Sequence, residues 1–176
     1  AAVRQWRFLN GNGDQDLANA IVERLVRDAC VDPAKVDATG ISSGGAMTAA
    51  LACKDADTFT GFGPVAANFY LAPLCKDAPI RPMVIFHGTA DRVVPYGGGT
   101  VATGQGLRTK GAEGNAAAWA EHNRCDPKPT TEHLSSEVTR ISWSGCEAPV
   151  VLYRIEGGGH TWPGSRFAVE RLGHTT

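Results

Sequence analysis

Residues 35–52 read Lys35-Val36-Asp37-Ala38-Thr39-Gly40-Ile41-Ser42-Ser43-Gly44-Gly45-Ala46-Met47-Thr48-Ala49-Ala50-Leu51-Ala52. The first five form a strand-like run, Gly40 to Gly44 a glycine-flanked turn, and Gly45 to Ala52 a helix-like run rich in alanine. A serine at the apex of such a turn is held in a strained conformation that pushes its hydroxyl out of the sheet, and flanking glycines relieve the crowding. Ser42 is therefore the first candidate for a nucleophile. A bare G-x-S-x-G also fits a Gly/Ser loop in a chain with 21 glycines. It is the strand before and the helix after that favour an elbow.

Working outward, Leu17, Ile21 and Leu25 recur at spacing four, with Val22 and Val26 beside them, and predict a helix over 14–29 that Asp14 or Asp16 caps. Phe62 to Ala67 reads as a short strand interrupted by small residues. Pro82-Met83-Val84-Ile85-Phe86 is a continuous apolar run bounded by Pro and Gly, as expected of a strand buried on both faces. Residues 113–122 fit a helix, polar residues fill 126–137, and Val138–Trp143 and Val150–Ile155 are expected to pair as neighbouring strands. Strands alternating with helices predict an α/β fold built on a mostly parallel sheet. Ligands in such sheets bind beyond the carboxyl ends of the strands.

The 176 residues predict one domain, residues 1–176, with a single core. A net charge of −1 and a pI near 6.6 provide no basic face for nucleic acid and no polybasic run for an anionic membrane. No apolar stretch approaches the roughly 18 residues that would span a bilayer, and Ala1 to Trp6 lack the apolar centre of a signal peptide. An exported form would thus be mature or trimmed.

Five cysteines, Cys30, Cys53, Cys75, Cys125 and Cys146, are well separated and form no C-x-x-C pair, which argues against zinc ribbons and thioredoxin-like chemistry. Cys53 ends the helix after the elbow and Cys75 lies in the next loop, while Cys125 and Cys146 bracket a polar excursion. The expected disulfides are Cys53–Cys75 and Cys125–Cys146, with Cys30 left over. The competing expectation is five reduced, buried cysteines in a reducing compartment.

A serine needs a base, and the base needs an orienting carboxylate. Asp91 follows the buried strand in His87-Gly88-Thr89-Ala90-Asp91-Arg92-Val93-Val94-Pro95-Tyr96. His160 lies in Gly157-Gly158-Gly159-His160-Thr161-Trp162-Pro163-Gly164. Both loops follow strands, and the order Ser, Asp, His along the chain is that of α/β-hydrolases. The strings GISSGGAMT, FHGTADRVVPY and GGGHTWPG resemble the nucleophile, acid and histidine loops of the secreted polyhydroxybutyrate depolymerase and feruloyl esterase family, carbohydrate esterase family 1 type. The likeness runs from about Trp6 to Gly164. It implies Ser42 as nucleophile, His160 as general base and then acid, Asp91 as the orienting carboxylate, and the Ser43 amide as one oxyanion donor.

The resemblance further implies a secreted serine esterase working through an acyl-enzyme, without metal or cofactor. Its substrate would be a polyester such as polyhydroxybutyrate, a hydroxycinnamoyl (feruloyl) ester of the plant cell wall, or an acetylated polysaccharide. The chain departs from the family pattern in lacking earlier strands, a His-Gly turn that supplies the second oxyanion donor, and a closing helix after the histidine loop. The expectation is a longer parent protein. The rival from another class is a non-catalytic α/β-hydrolase-like binding domain with an incomplete oxyanion hole.

Among other residues, His87, His122, His133 and His174 read as surface or strand-end histidines, since none sits in a glycine-rich loop after a strand. A metal cluster of His122, Cys125, His133 and Cys146 matches no zinc spacing. Gly97-Gly98-Gly99-Thr100 and Gly104-Gln105-Gly106 lack the Lys-Ser/Thr ending of a phosphate loop. Trp162 is expected either to wall the substrate pocket or to pack against its loop. Asp37 is out of place in a buried strand and points to an edge location.

Overall fold

The structure is a computed structural model that describes residues 6, 13–69, 75–102, 106–166 and 169–175. Its elements are α1 (Gly13–Ala29), β1 (Asp37–Ile41), α2 (Ser43–Lys54), β2 (Gly61–Val65), β3 (Met83–Gly88), β4 (Gly99–Thr100), β5 (Arg108–Thr109), α3 (Gly111–His122), β6 (Thr130–His133), β7 (Val138–Ser142) and β8 (Val150–Ile155). Six strands form one sheet in the order β1-β2-β3-β8-β7-β6, and β4 and β5 make a separate small ribbon. The first four strands of that order run parallel, and β8, β7 and β6 follow as antiparallel neighbours.

Register aligns the carboxyl ends of the parallel strands: Ile41 faces Val65, Val65 faces Phe86, and Gly88 faces Ile155. The loops that leave β1, β3 and β8 therefore open on one edge of the sheet. Those loops carry Ser42, Asp91 and His160.

α2 is buried from Gly45 to Cys53 and lies on β1 and β2. Its glycines and alanines let the helix axis approach the sheet closely, and a helix enclosed on all sides shows no apolar stripe. α3 lies on β3 and β8, with Ala112, Ala116, Trp119 and Ala120 facing the core formed by Met83, Ile85, Val150 and Leu152. The disulfides Cys53–Cys75 and Cys125–Cys146 close loops of 22 and 21 residues, and Cys30 is free and exposed. A loop of that size corresponds to about 3 kcal/mol in the chain-entropy treatment. Because Cys125 and Cys146 bond to each other, they are not available for the four-residue metal cluster weighed from sequence.

Three expectations need correction, and the helix α1 is found as expected with Leu17, Ile21 and Leu25 of its stripe 51%, 50% and 44% exposed. Ala18 and Val22, on the neighbouring face, pack against the core instead. β3 alternates rather than being buried on both faces, since Val84 and Phe86 are half-buried. The polar segment 126–137 contains a strand, β6, whose four side chains are all exposed. His87, read as a surface or strand-end residue, stands at the end of β3 but is enclosed, at 1% exposure.

β1 occupies one end of the sheet, so among the described residues its outer edge is unpaired. Asp37 is exposed there and accepts a hydrogen bond from Thr60 Oγ1 at 2.9 Å, which explains a carboxylate in this strand. A cleft of about 600 Å³ runs along this edge, lined among others by Trp6, Ala18, Ile21, Thr39, Gly44 and Met47. It lies beside the elbow rather than over Asp91 and His160.

Candidate active site

Ser42 links β1 to α2 with φ 57° and ψ −118°. A non-glycine residue in this region costs about 1–3 kcal/mol and persists only where its surroundings impose it. Here the Ser42 amide donates to Val65 O at 2.9 Å, and Ser42 O accepts from the Ala46 amide at 2.9 Å, so both sides of the residue are fixed by neighbouring elements. The tight reversal leaves no room at two glycines. A Cβ on Gly40 would lie 2.6 Å from the Gly44 carbonyl carbon, and one on Gly45 would lie 2.7 Å from Ala67 Cβ. Gly44, the second glycine of the G-x-S-x-G pattern, has only Trp6 Nε1 nearby, at 3.9 Å. The steric demand thus falls on Gly40 and Gly45.

Ser43 begins α2. Its amide belongs to the first turn, which lacks intrahelical acceptors, and it sits at the positive end of the helix dipole. An oxyanion formed at Ser42 would find that donor without reorganisation.

Asp91 is reached from β3 by a turn closed by its own amide on Gly88 O at 3.3 Å. Its carboxylate is enclosed and fully engaged. Oδ1 accepts from the amides of Val93 at 2.8 Å and Val94 at 2.9 Å. Oδ2 accepts from His160 Nδ1 at 2.8 Å and has His87 Nε2 at 3.3 Å. Burial alone would raise the pKa of this group, but hydrogen bonds from His160, His87 and the Val94 amide outweigh it and hold the carboxyl well below the usual carboxylate range.

The acid and histidine loops are stitched together by their backbones. Ala90 N donates to Gly158 O at 2.9 Å, Thr89 N to Ile155 O at 2.9 Å, and Gly157 N to Thr89 Oγ1 at 2.8 Å. On the other side, His160 N donates to Leu172 O at 2.7 Å and Gly159 N to His174 O at 2.9 Å. The glycines are what allow this approach: a Cβ on Gly88 would lie 2.1 Å from Gly158 O.

His160 is 6% exposed and gives its Nδ1–H to Asp91, which leaves Nε2 as the ring's proton acceptor. The structure therefore joins two of the three residues picked from sequence. Ser42 stands on the same sheet edge, and among the described residues no hydrogen bond closes between its hydroxyl and His160. Such contacts are commonly loose before substrate arrives. Trp162, on the histidine loop, is 43% exposed.

His87 was missed as a site residue. Its signal was present in the alternation of β3, where Met83, Ile85 and His87 share the buried face, and in its position four residues before Asp91.

No family model matches the chain. In sequence it is 34% identical over 155 residues to the feruloyl esterase B of Piromyces equi, which covers 84% of this chain and 28% of that protein. It is 31% identical over 155 residues to the feruloyl esterase C of Emericella nidulans, covering 87% of this chain and 52% of that protein. The chain thus spans about half or less of the length of these relatives. In structure it matches the acetyl xylan esterase from Aspergillus awamori with a TM-score of 0.65 at 18% identity, over 92% of this chain and 69% of the other. The fold is α/β-hydrolase-like, and in sequence the chain is similar to feruloyl esterases over most of its own length.

Proposed function

We propose that the chain forms part of the catalytic domain of a secreted serine esterase, a carboxylic-ester hydrolase that works through an acyl-enzyme. The observation that carries this reading is the buried Asp91–His160 pair at 2.8 Å, on the same sheet edge as the strained Ser42 elbow. Ser42 Oγ attacks the ester carbonyl while His160 Nε2 takes its proton. The tetrahedral oxyanion is received by the Ser43 amide, and the alcohol leaves with the proton that His160 returns. Water, deprotonated by His160, then releases the acid from Ser42. Asp91 stays ionised throughout and stabilises the imidazolium.

Similarity to feruloyl esterases and the fold of an acetyl xylan esterase support hydroxycinnamoyl or acetyl esters of plant cell-wall polymers ahead of a polyester such as polyhydroxybutyrate. Two disulfides fit an oxidising, extracellular setting. The mechanism needs no cofactor.

The test is labelling with a fluorophosphonate probe together with hydrolysis of methyl ferulate, p-nitrophenyl butyrate and a polyester film. Stoichiometric labelling that disappears in Ser42→Ala, with methyl ferulate the preferred substrate, is the expected result. A folded wild-type protein that takes up no label would instead support the binding-domain reading.

A further inference from the structure

His87 is enclosed at the end of β3 and takes no part in the proton transfers described above. Its ring Nε2 lies 2.9 Å from Val94 O and 3.3 Å from Asp91 Oδ2. Both neighbours are acceptors, so Nε2 carries the hydrogen, which it gives to Val94 O with Asp91 Oδ2 close by at the longer distance. That leaves Nδ1 bare, and it is buried without a hydrogen-bond partner among the described residues. The edge of the ring meets Tyr96 at 5.8 Å between centroids. An apolar side chain would fill the same space with no orphaned nitrogen, so packing does not call for a histidine here.

We propose that His87 is a positioning residue for the acid of this esterase: its Nε2–H holds Asp91 Oδ2 and the carbonyl of Val94 together. Asp91 and Val94 are the two ends of one short turn, already linked by the Val94 amide on Oδ1. The imidazole ties the same two residues a second time, through Oδ2 and the Val94 carbonyl. Oδ2 is also the oxygen that receives His160 Nδ1–H. Fixing that oxygen fixes the plane of the His160 ring and the tautomer that leaves Nε2 free to act as base. The lowered pKa of Asp91 is consistent with this second donor. The inference rests on the esterase reading for its kinetic consequence, but the hydrogen bonding it describes does not.

Two variants separate positioning from packing. His87→Leu keeps the volume and removes the donor, and His87→Gln places an amide N–H near the position of Nε2. Removing one hydrogen bond to a buried charged group typically costs a factor of about 10–100. His87→Leu is expected to lower kcat on methyl ferulate by about that factor with KM unchanged, and His87→Gln to recover to within about threefold of wild type. In proton NMR, the low-field resonance of the His160 Nδ1–H is expected to weaken or move upfield in His87→Leu and to return in His87→Gln.

Equal loss in both variants would overturn the proposal, as would full kcat in a folded His87→Leu. Should His87→Leu fail to fold, nitrogen-15 NMR of the wild-type imidazoles decides by itself: a protonated Nε2 with a bare Nδ1 on His87 is expected, and an Nδ1–H tautomer overturns it. Absence of fluorophosphonate labelling in the wild type would refute the esterase reading while leaving both NMR outcomes intact.

Discussion

The two halves of the site are built differently. The acid and histidine loops, between β3 and β8, are buried in mid-sheet and cross-linked by backbone hydrogen bonds, with both carboxylate oxygens of Asp91 engaged. The nucleophile stands on β1, at the end of the sheet, beside an open cleft and a helix whose apolar stripe faces outward. The first half is complete within the described residues. The second holds its strained serine by two backbone hydrogen bonds, from the Ser42 amide to Val65 O and from the Ala46 amide to Ser42 O, while the contact to His160 is not closed.

The largest expected effect falls on the closed half. Asp91→Asn keeps the shape of the side chain, but an amide can present Nδ2 rather than an acceptor to His160 and thereby favour the wrong tautomer. A loss of about 10⁴ in kcat is expected by analogy with other triads, measured on methyl ferulate at saturating substrate. The same substitution gives a signed pH dependence of stability. Because the folded-state pKa of Asp91 is depressed, its stabilising contribution is fully present above the unfolded value of about 4 and is lost as pH falls below it. Melting temperatures of wild type and Asp91→Asn should therefore differ at pH 6 and converge as the solution is acidified below about pH 4. A gap that widens below pH 4 would contradict the assignment.

Glycine substitutions separate crowded from open positions: Gly40 and Gly45 of the elbow are crowded as Gly88 is, and Gly44 is not. Gly88→Ala forces a methyl group to within 2.1 Å of Gly158 O, a backbone atom in a loop that cannot retreat without breaking the Ala90 bond. A destabilisation of about 3 kcal/mol or more is expected, read from urea denaturation. Gly44→Ala, at the nucleophile, meets only an ordinary contact with Trp6. It should change stability by less than about 1 kcal/mol, in the stabilising direction, because alanine suits a helix better than glycine. If Gly44→Ala were as damaging as Gly88→Ala, Gly44 would be as crowded as Gly40 and Gly45, and the placing of the elbow's steric demand on those two glycines would fail.

How much of this was legible in the sequence follows from the same contrast. Ser42, Asp91 and His160 could be picked out because each sits in a loop that directly follows a strand, a local signature. The strands of the sheet centre could be read because burial demands apolar residues. β6 was not legible, since all four of its side chains are exposed and its pairing with β7 uses backbone groups that any sequence carries. His87 escaped because a histidine at a strand end looks the same whether it faces water or a carboxylate. The alternation along β3 and the position of Asp91 across the following turn distinguish the two. The α1 helix was legible as a helix, but the direction of its apolar stripe depends on what lies opposite, which no local pattern encodes.

That stripe supplies the smallest expected effect on stability and the most direct test of the open edge. Isolated exposed apolar residues are ordinary, but Leu17, Ile21 and Leu25 lie along one helix, and Ile21 also lines the cleft beside the outer edge of β1, which has no partner strand among the described residues. A contiguous apolar surface next to free backbone donors and acceptors promotes self-association. Ile21→Lys is therefore expected to lower the association seen by sedimentation velocity at high protein concentration. It should shift stability by no more than about 0.5 kcal/mol, as for a surface residue. Leu152→Ala, in the enclosed strand β8, should cost about 2–5 kcal/mol by contrast. A comparable loss in Ile21→Lys would mean that α1 buries its stripe in solution, and the nucleophile's half of the site would then be as closed as the half that holds Asp91 and His160.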